Sequence, residues 1–466
     1  MPWQRAVIPL PRISLGGGAL LLMSAIALAY IGSIGASFQF DDWNVIVRDT
    51  RVHSLAAWWH SLPGIRAGLK LSYAVNYELG AGPAGFRILN LAIHAANAVL
   101  VFALLRSRSE PAALIAAAVF ALAPVQTEAV TYISGRSSSL SALFCLVALL
   151  SWQQAGRRPL LHVLGVACYA IALTVKETAI VLPLAIVLWH STQSSDHPVP
   201  ANRWRTPERR ALVAYSVVAC AALAAAFLSS TYTHLFLTSV QTRSVVDNLA
   251  LQARAWGFLL LELFRLSALT ADPTPRDLPG DTAIGTILWS LFWLALAAVA
   301  WIRRRENPEG AFAILWFYLW LLPTNSLLPR LDVANDRQLY LALIGPAWLL
   351  AQTVVRVGRD APRSAVTTVV ALAVQLAAAT TSRNHVYQTE VTFWQAVLDQ
   401  SPGNARAANN LGIAYALACR DAQASDSFRR AIASDPEDFR AKINLRLLQE
   451  DRLIRRDASG CKLVAE

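Results

Sequence analysis

The sequence predicts an all-α polytopic membrane protein, and three observations lead to that class. First, the 466-residue chain is 55% hydrophobic and only 15% charged, whereas soluble globular domains carry roughly 25% charged residues. Second, the charges cluster between apolar runs that are about long enough to cross a bilayer. Third, those runs are continuous, whereas the strands of a membrane β-barrel alternate apolar and polar residues.

Eleven membrane-spanning helices account for the apolar runs. The predicted spans are 17–36, 86–105, 111–125, 138–154, 160–175, 178–192, 211–229, 285–302, 311–328, 339–355 and 364–381. The run 251–269 carries Arg254, Glu262 and Arg265, so we expect an interfacial or partly re-entrant helix there. A cleaved signal peptide is the less favoured interpretation of the first run, because "GSIGAS" offers small residues for cleavage.

The net charge of +11 reflects membrane topology rather than a nucleic-acid partner. Arginines concentrate in alternate loops, which is typical of cytoplasmic loops. They are Arg5 and Arg12; Arg106 and Arg108; Arg157 and Arg158; Arg203, Arg205, Arg209 and Arg210; Arg303, Arg304 and Arg305; and Arg356, Arg359 and Arg363. We therefore expect a cytoplasmic N-terminus and a C-terminus on the other side of the membrane. The arginine-rich loops and alanine-rich spans suit a high-GC bacterium, so we expect the membrane to be the inner (plasma) membrane. The five cysteines show no metal-ligand spacing and predict neither a zinc site nor a disulfide framework.

The C-terminal part predicts a helical-repeat domain at 382–466, after a membrane domain at 1–381. The stretch "ARAANNLGIAYALACRDAQASDSFRRAIASDPED" fits the 34-residue tetratricopeptide template, with a full repeat at about 405–438. Gly412 lets two helices approach closely, and Phe428 fills the groove between them. Fewer than three repeats do not make a stable free-standing array. We therefore expect the repeat to pack on the membrane domain or on a partner protein.

Ionisable residues converge on the side opposite the arginine-rich loops. Asp41 and Asp42 follow the first span among aromatic residues, which lower the local dielectric and raise a carboxyl pKa. Either carboxylate can then act as a general base toward a hydroxyl. Later outer loops add three candidate phosphate ligands and three candidate pocket-lining acids. The phosphate ligands are Arg136, Lys176 and Arg337, and the acids are Glu128, Glu177 and Asp336.

A lipid-linked sugar is the donor that suits such a pocket, because nucleotide sugars and ATP are not expected outside the cytoplasm. The sequence contains no phosphate-binding glycine loop, HExxH or GxSxG. A polyprenyl phosphate would place its tail among the helices and its phosphate on the cations. A single displacement would then invert the anomeric carbon. A divalent metal at the paired acids stays open, since the basic residues suit a metal-independent site at least as well.

The ordered motifs resemble a known family. They are "FDDWN", "APVQTEAVTYISGRSSSL", "LTVKETAIVLPL", "NSLLPRLDVANDRQLYL" and the C-terminal repeat. Together they are similar to the transmembrane and tetratricopeptide-repeat-containing O-mannosyltransferases and their bacterial relatives, in the C-type glycosyltransferase superfamily. The resemblance implies that Asp41 or Asp42 is the catalytic carboxylate. It also implies a lipid-phosphate-linked donor, commonly of mannose, and a repeat that presents acceptor polypeptide outside the cytoplasm.

Two other functions compete with this interpretation. The first is a non-enzymatic membrane scaffold that assembles envelope complexes through its repeat. The second is a transporter, which would be expected to show internal repeats and broken helices at the membrane midplane. The acceptor, a protein Ser or Thr, a glycan or a lipid, is left open by the sequence.

Overall fold

The computed structural model describes residues 13–62, 64–155, 158, 160–192, 206–330, 332–457 and 460–463. Loop residues Arg5, Arg12, Arg157, Arg203 and Arg205 lie outside these ranges. The α-helices are α1 (Leu15–Tyr30), α2 (Leu55–His60), α3 (Ala67–Glu78), α4 (Pro83–Leu105), α5 (Glu110–Leu122), α6 (Thr127–Val130), α7 (Arg136–Gln154), α8 (Leu160–Val175), α9 (Leu182–Ser191), α10 (Thr206–Leu228), α11 (Ser230–Thr242), α12 (Val245–Glu262), α13 (Ala283–Ile302), α14 (Pro308–Leu321), α15 (Leu339–Ala342), α16 (Ile344–Gly358), α17 (Pro362–Val386), α18 (Glu390–Gln400), α19 (Ala405–Leu417), α20 (Asp421–Ser434) and α21 (Phe439–Gln449). Strands β1 (Ile454–Asp457) and β2 (Gly460–Leu463) form an antiparallel hairpin.

The all-α polytopic membrane class is confirmed. Within the described ranges, six helices are long and apolar enough to cross a membrane, or up to eight if each of two bent helix pairs is one span. Two further apolar helices, Leu160–Val175 and Glu177–Ser191, are shorter. A helix lies at each of the eleven predicted runs, while the crossing of the membrane by all eleven stays a prediction.

The centre of the bundle consists of α4, α5, α7, α14 and α16. Phe102, Phe120, Trp316 and Trp348 fill it and are fully buried. In α10, α13 and α17, by contrast, only 11% of the most apolar stretch is buried. An apolar helix that is left this exposed is stable only against lipid or another apolar surface. These three helices therefore form the periphery of the bundle.

Two breaks in the helices deliver polar residues to one end of the bundle. Ala123 is extended, as a residue before proline prefers, so α5 ends there and the chain bends by 55° into Pro124–Val130. A second bend of 56° separates Asp336–Ala342 from Ile344–Gly358. The short segments beyond the breaks meet, because the backbone N–H of Arg337 donates to Glu128 Oε2 at 3.1 Å.

The run at 251–269 is largely helical, while its interfacial or partly re-entrant position stays a prediction. Its helical part belongs to α12, and Leu251, Ala255 and Phe258 join the main hydrophobic core. Arg254, one of the charges that argued against a buried helix, donates to backbone carbonyls of the loop that follows and pairs with Asp281 at 2.8 Å. Because this loop satisfies the guanidinium, the apolar face of α12 packs into the bundle.

The C-terminal segment, defined as residues 387–449, contains the helix pairing that the repeat pattern predicts. Helices α19 and α20 pack against each other, and a Cβ added at Gly412 would lie 2.5 Å from the ring of Phe428. Glycine at this position thus permits the close approach. Helix α17 continues to Val386, so the predicted boundary at residue 382 falls inside a helix.

A disulfide joins Cys419 to Cys461, although 42 residues separate them in the sequence. The expectation that the cysteines form no disulfide is therefore wrong. The hairpin of β1 and β2 folds back against α19, and this long-range contact brings the two Cα atoms within 5.7 Å. The spacing of cysteines in the sequence does not predict such a contact.

Candidate active site

The first outer loop turns sharply at the acidic pair. Phe40 adopts φ +46°, a left-handed conformation that is uncommon for a bulky residue. The N–H of Asp42 donates to the carbonyl of Gln39 at 2.9 Å and closes the turn. The two carboxylates consequently occupy different surroundings, although they are neighbours in the sequence.

Asp42 is fully buried and its carboxylate is saturated with hydrogen bonds. Oδ1 accepts from the backbone N–H and the hydroxyl of Ser134, and Oδ2 accepts from the N–H of Gln39 at 3.1 Å. Burial raises the pKa of Asp42 to about 6, and the donors on Ser134 and Gln39 oppose that rise. These contacts tie the first outer loop to the second, which is a structural role.

Asp41 is partly exposed and lies among charges from several segments. Its backbone N–H donates to the hydroxyl of Tyr132 at 3.1 Å. Burial raises the pKa of Asp41, and the guanidinium of Arg337 opposes that rise. The charge of Asp332 raises the pKa further, whereas the charge of Arg406 lowers it. Asp41 is thus the more accessible of the two predicted carboxylates.

Arg337 links the charged groups at this end of the bundle. Its guanidinium lies 3.4 Å from Glu128 Oε1 and 3.5 Å from Asp332 Oδ2. Glu128 and Arg337 both line a cavity together with Tyr132 and Asp332. Glu128, one of the three acids expected to line the pocket, therefore lines this cavity.

A group of four cations extends from Arg337. Burial lowers the pKa of Lys176 well below its usual value, and Arg337, Arg66 and Arg330 lower it further through their charges. Lys176 Nζ donates to Ser138 Oγ at 2.7 Å. Arg66 is paired with Glu177 at 2.8 Å. Among the described residues, no carboxylate forms an ion pair with Lys176 or Arg330, so neither side chain is neutralised by a direct ion pair.

A second cavity borders this cation group. Its walls combine two cations with hydroxyl and aromatic side chains from four parts of the chain. The lining includes Ser138, Lys176, Thr178, Thr324, Arg337 and Tyr340. Ammonium, guanidinium and hydroxyl donors are the groups that bind phosphate oxygens in proteins. Lys176 and Arg337, two of the three predicted phosphate ligands, thus lie together at one cavity.

Arg136 does not join them, which corrects its assignment as a phosphate ligand. Its side chain is fully buried, and it donates to Asn90 Oδ1, Asn76 Oδ1 and the carbonyl of Phe86. The guanidinium also lies over the rings of Tyr73 and Phe86. These neighbours occupy the donor groups that a phosphate would need, so Arg136 fixes α7 against α3 and α4.

The other two predicted pocket acids lie beside the cavities rather than in their linings. Glu177 accepts from Arg66 and from the hydroxyl of Tyr232 at 2.9 Å, which orients Arg66. Asp336 is fully buried and lies 3.6 Å from Arg383. Its position at the start of a short 3-10 helix turns the side chain toward α17, while the adjacent Arg337 faces the cation group.

The C-terminal segment contributes a wall of the first cavity. Phe393, Trp394 and Arg406 line it opposite Tyr132 and Arg337. Arg406 Nε donates to Asp272 Oδ2 at 3.0 Å, and its terminal nitrogens reach Asp332 Oδ1 at 3.2 Å. The expectation that the repeat packs on the membrane domain therefore agrees with the described contacts.

Sequence reasoning missed four charged residues of the site, and two of them, Arg330 and Arg406, lie inside a quoted motif. Arg66 lies in "GIRAG" of the first outer loop, Arg330 in "LPRLD", and Arg406 in the repeat. Asp272 lies in the loop after α12. The sequence contains these charged residues, but it does not reveal that they converge, because their positions in space depend on how the loops fold. Within the described ranges, no group of three or more His, Cys, Asp or Glu is arranged to hold a metal ion.

Comparison with known proteins adds independent information. No family model matches the chain. The chain is 26% identical to protein O-mannosyl-transferase Tmtc2 of Drosophila melanogaster, over 65% of this chain and 33% of the relative. It is 23% identical to protein O-mannosyl-transferase TMTC3 of Mus musculus, over 96% of this chain and 54% of the relative.

The resemblance to the protein O-mannosyl-transferases is confirmed. The Homo sapiens TMTC3 protein is a further relative, 22% identical over 91% of this chain and 52% of its own length. The similarity thus includes both the membrane bundle and the C-terminal segment. The chain spans from about a third to about half of the length of these relatives.

Proposed function

We propose that this protein is an integral-membrane glycosyltransferase. It moves a sugar from a polyprenyl phosphate donor to an acceptor hydroxyl on the non-cytoplasmic face of the membrane. The names of the relatives favour mannose as the sugar and a protein Ser or Thr as the acceptor. The observation that carries the proposal is that the N–H of Asp41 donates to the hydroxyl of Tyr132 at 3.1 Å, and the guanidinium of Arg337 lies 5.9 Å from the centre of the Tyr132 ring. Tyr132 and Arg337 line the same acidic cavity, and Arg337 joins that cavity to the cation group.

The cation group supplies what a lipid phosphate needs. Lys176 and Arg330 have no carboxylate partner among the described residues, while Arg337 shares its charge between Glu128 and Asp332. A phosphate placed there would meet several positive charges in a partly desolvated site, where electrostatic attraction is stronger than in water. The apolar, outward-facing helices of the bundle offer a surface for the polyprenyl tail.

The reaction is a single displacement at the anomeric carbon of the donor sugar. The acceptor oxygen attacks the anomeric carbon while its proton passes to the carboxylate of Asp41. The bond between that carbon and the phosphate oxygen breaks, and the leaving polyprenyl phosphate gains a negative charge. Arg337 and Lys176 stabilise that developing charge. Attack from the side opposite the phosphate inverts the configuration, and the protonated Asp41 returns its proton to water.

The orientation of the chain is part of the proposal. The arginine-rich loops favour a cytoplasmic N-terminus and a C-terminal segment on the opposite side of the membrane. The disulfide between Cys419 and Cys461 supports this orientation, because disulfides form and persist in oxidising compartments such as the periplasm. The membrane is then the inner (plasma) membrane, and lipid-linked sugars reach the site from the membrane itself.

The direct test is sugar transfer by the purified full-length protein in nanodiscs. The assay supplies synthetic polyprenyl phosphate mannose and a panel of hydroxyl-bearing peptides and glycans. We expect acceptor-dependent donor turnover that falls by about 10²–10⁴-fold in Asp41→Asn, with an unchanged thermal melt. If polyprenyl phosphate mannose is not turned over, other polyprenyl phosphate sugars are tested in the same assay.

Two results would contradict the proposal. One is the absence of turnover with every polyprenyl phosphate sugar. The other is normal complementation of a deletion strain by Asp41→Asn, which the scaffold alternative predicts. The matched control is Asp399→Asn, an exposed carboxylate of α18 that lies outside the candidate site and accepts a hydrogen bond from Gln395. It should retain turnover.

A further inference from the structure

The loop that carries Asp41 is held by the C-terminal segment through a row of hydrogen bonds. The N–H of Phe40 donates to Glu390 Oε1 at 2.8 Å, and the indole N–H of Trp43 donates to the same oxygen at 2.9 Å. The side-chain amide of Gln39 donates to the carbonyl of Tyr387. Glu390 thus holds the residues on both sides of the acidic pair.

The conformation at Phe40 requires such support. Positive φ in a bulky residue costs of order 1–3 kcal/mol and persists only when the surroundings impose it. Two groups of the C-terminal segment do so, since the ring of Phe40 packs edge-to-face against Trp394 at 5.1 Å while Glu390 holds its N–H. The position of Asp41 follows directly from φ and ψ at Phe40. Within this loop, the N–H of Asp41 contacts Tyr132 rather than the C-terminal segment.

We propose that Glu390 is a positioning residue for Asp41, so that the first helix of the C-terminal segment is part of the catalytic machinery. This inference rests on the proposed function, because the position of Asp41 matters only if its carboxylate takes the acceptor proton. It also gives the C-terminal segment a role besides that of presenting the acceptor. Docking of the segment sets the geometry of the base, and a detached segment would leave Asp41 free to turn away from Arg337.

The chemistry of the contact offers a conservative variant. One oxygen of Glu390 accepts both N–H groups, and the amide oxygen of glutamine can do the same. Glu390→Gln therefore keeps an acceptor for both N–H groups and removes the charge, which the indole of Trp394 also contacts. Glu390→Ala removes the acceptor and leaves the N–H of Phe40 and of Trp43 without a partner. Misplacement of a catalytic group by about 1 Å can reduce turnover by about 10²-fold.

The experiment combines kinetics with hydrogen exchange on the full chain in nanodiscs. Glu390→Ala should lower kcat by about 10²-fold at an unchanged KM for the polyprenyl phosphate sugar. Exchange should rise in peptides that cover residues 37–43, including the amide of Asp41. Glu390→Gln should restore most of kcat and the protection together. Asp399→Ala, which removes an exposed carboxylate from the same helix, is the matched control and should leave both unchanged.

The outcomes separate this inference from the proposed function. Wild-type turnover that survives in Glu390→Ala overturns the positioning role and leaves the glycosyltransferase proposal intact. A lower kcat with unchanged exchange at 37–43 also overturns it, because the loop would not have moved. Failure of Glu390→Gln to restore kcat would assign the effect to charge rather than position. Absence of turnover in the wild type would instead overturn the proposed function.

Discussion

The pH dependence of turnover should report the carboxyl of Asp41, and two neighbouring charges should move it in opposite directions. As a general base, Asp41 acts only when it is ionised, so kcat/KM falls as pH drops through its pKa. Burial raises that pKa above the usual value. The acidic limb should therefore lie at a higher pH than an exposed aspartate would give, and Asp41→Asn should abolish it.

The perturbations are Asp332→Asn and Arg406→Gln. The charge of Asp332 raises the pKa of Asp41, and the charge of Arg406 lowers it. Unit charges about 6–8 Å apart at an effective dielectric of about 40–80 interact by roughly 0.5–1.4 kcal/mol. One pKa unit corresponds to about 1.4 kcal/mol. Asp332→Asn should thus move the limb down by about 0.4–1 pH unit, and Arg406→Gln should move it up by a similar amount.

The assay is the initial rate of donor consumption at low donor concentration, measured from about pH 4 to pH 8. Arg430→Gln is the matched control, because this arginine of the C-terminal segment is exposed and, among the described residues, donates to the carbonyl of Pro402 alone. It should not shift the limb. Shifts of the same sign in both variants, or an acidic limb that persists in Asp41→Asn, would refute the assignment of Asp41 as the base.

Two further predictions concern the cation group and the disulfide. The phosphate of the donor should raise the lowered pKa of Lys176, so donor binding should take up protons and weaken as pH rises. Calorimetry of a short-chain polyprenyl phosphate sugar, in buffers of different ionisation enthalpy, measures this uptake, and uptake that persists in Lys176→Met would contradict the prediction. In right-side-out membrane vesicles, Cys419 and Cys461 should react with an impermeant maleimide only after reduction. Labelling before reduction would argue against the disulfide, and labelling only after the vesicles are opened would argue against the orientation. A Cys220→Ser background removes the exposed free cysteine.

Local sequence patterns predicted the helices well because each pattern depends on residues that are close in the chain. Apolar runs located a helix at every predicted span, and the small residue at Gly412 located the close contact with Phe428. The outer-loop motifs also predicted that Glu128, Lys176 and Arg337 lie at one end of the bundle, and these residues line the two cavities there. These residues lie next to helix ends, so topology alone restricts their positions.

The roles of individual arginines could not be predicted in the same way. Arg136 and Arg66 both occupy outer segments next to helices, yet buried amide and carbonyl groups satisfy Arg136 while Arg66 faces the cation group. A guanidinium has five donors, and its role depends on how many of them the fold already satisfies. That number is set by contacts between distant segments, such as Asn90 with Arg136. The same argument applies to the unforeseen pairing of Cys419 with Cys461.

Adjacent carboxylates at a membrane surface repel each other, so a sequence that retains both needs a separate use for each. The turn at Phe40 supplies the separation, because it directs Asp42 into three hydrogen bonds in the interior and leaves Asp41 beside Arg337. Asp42 anchors the loop from within, and Glu390 anchors it from the C-terminal segment. A base held from two sides by different parts of the chain cannot reach its position until both have docked. Assembly of the C-terminal segment is therefore a condition for catalysis in this proposal, and the role of Glu390 follows from the same turn that separates the two acids.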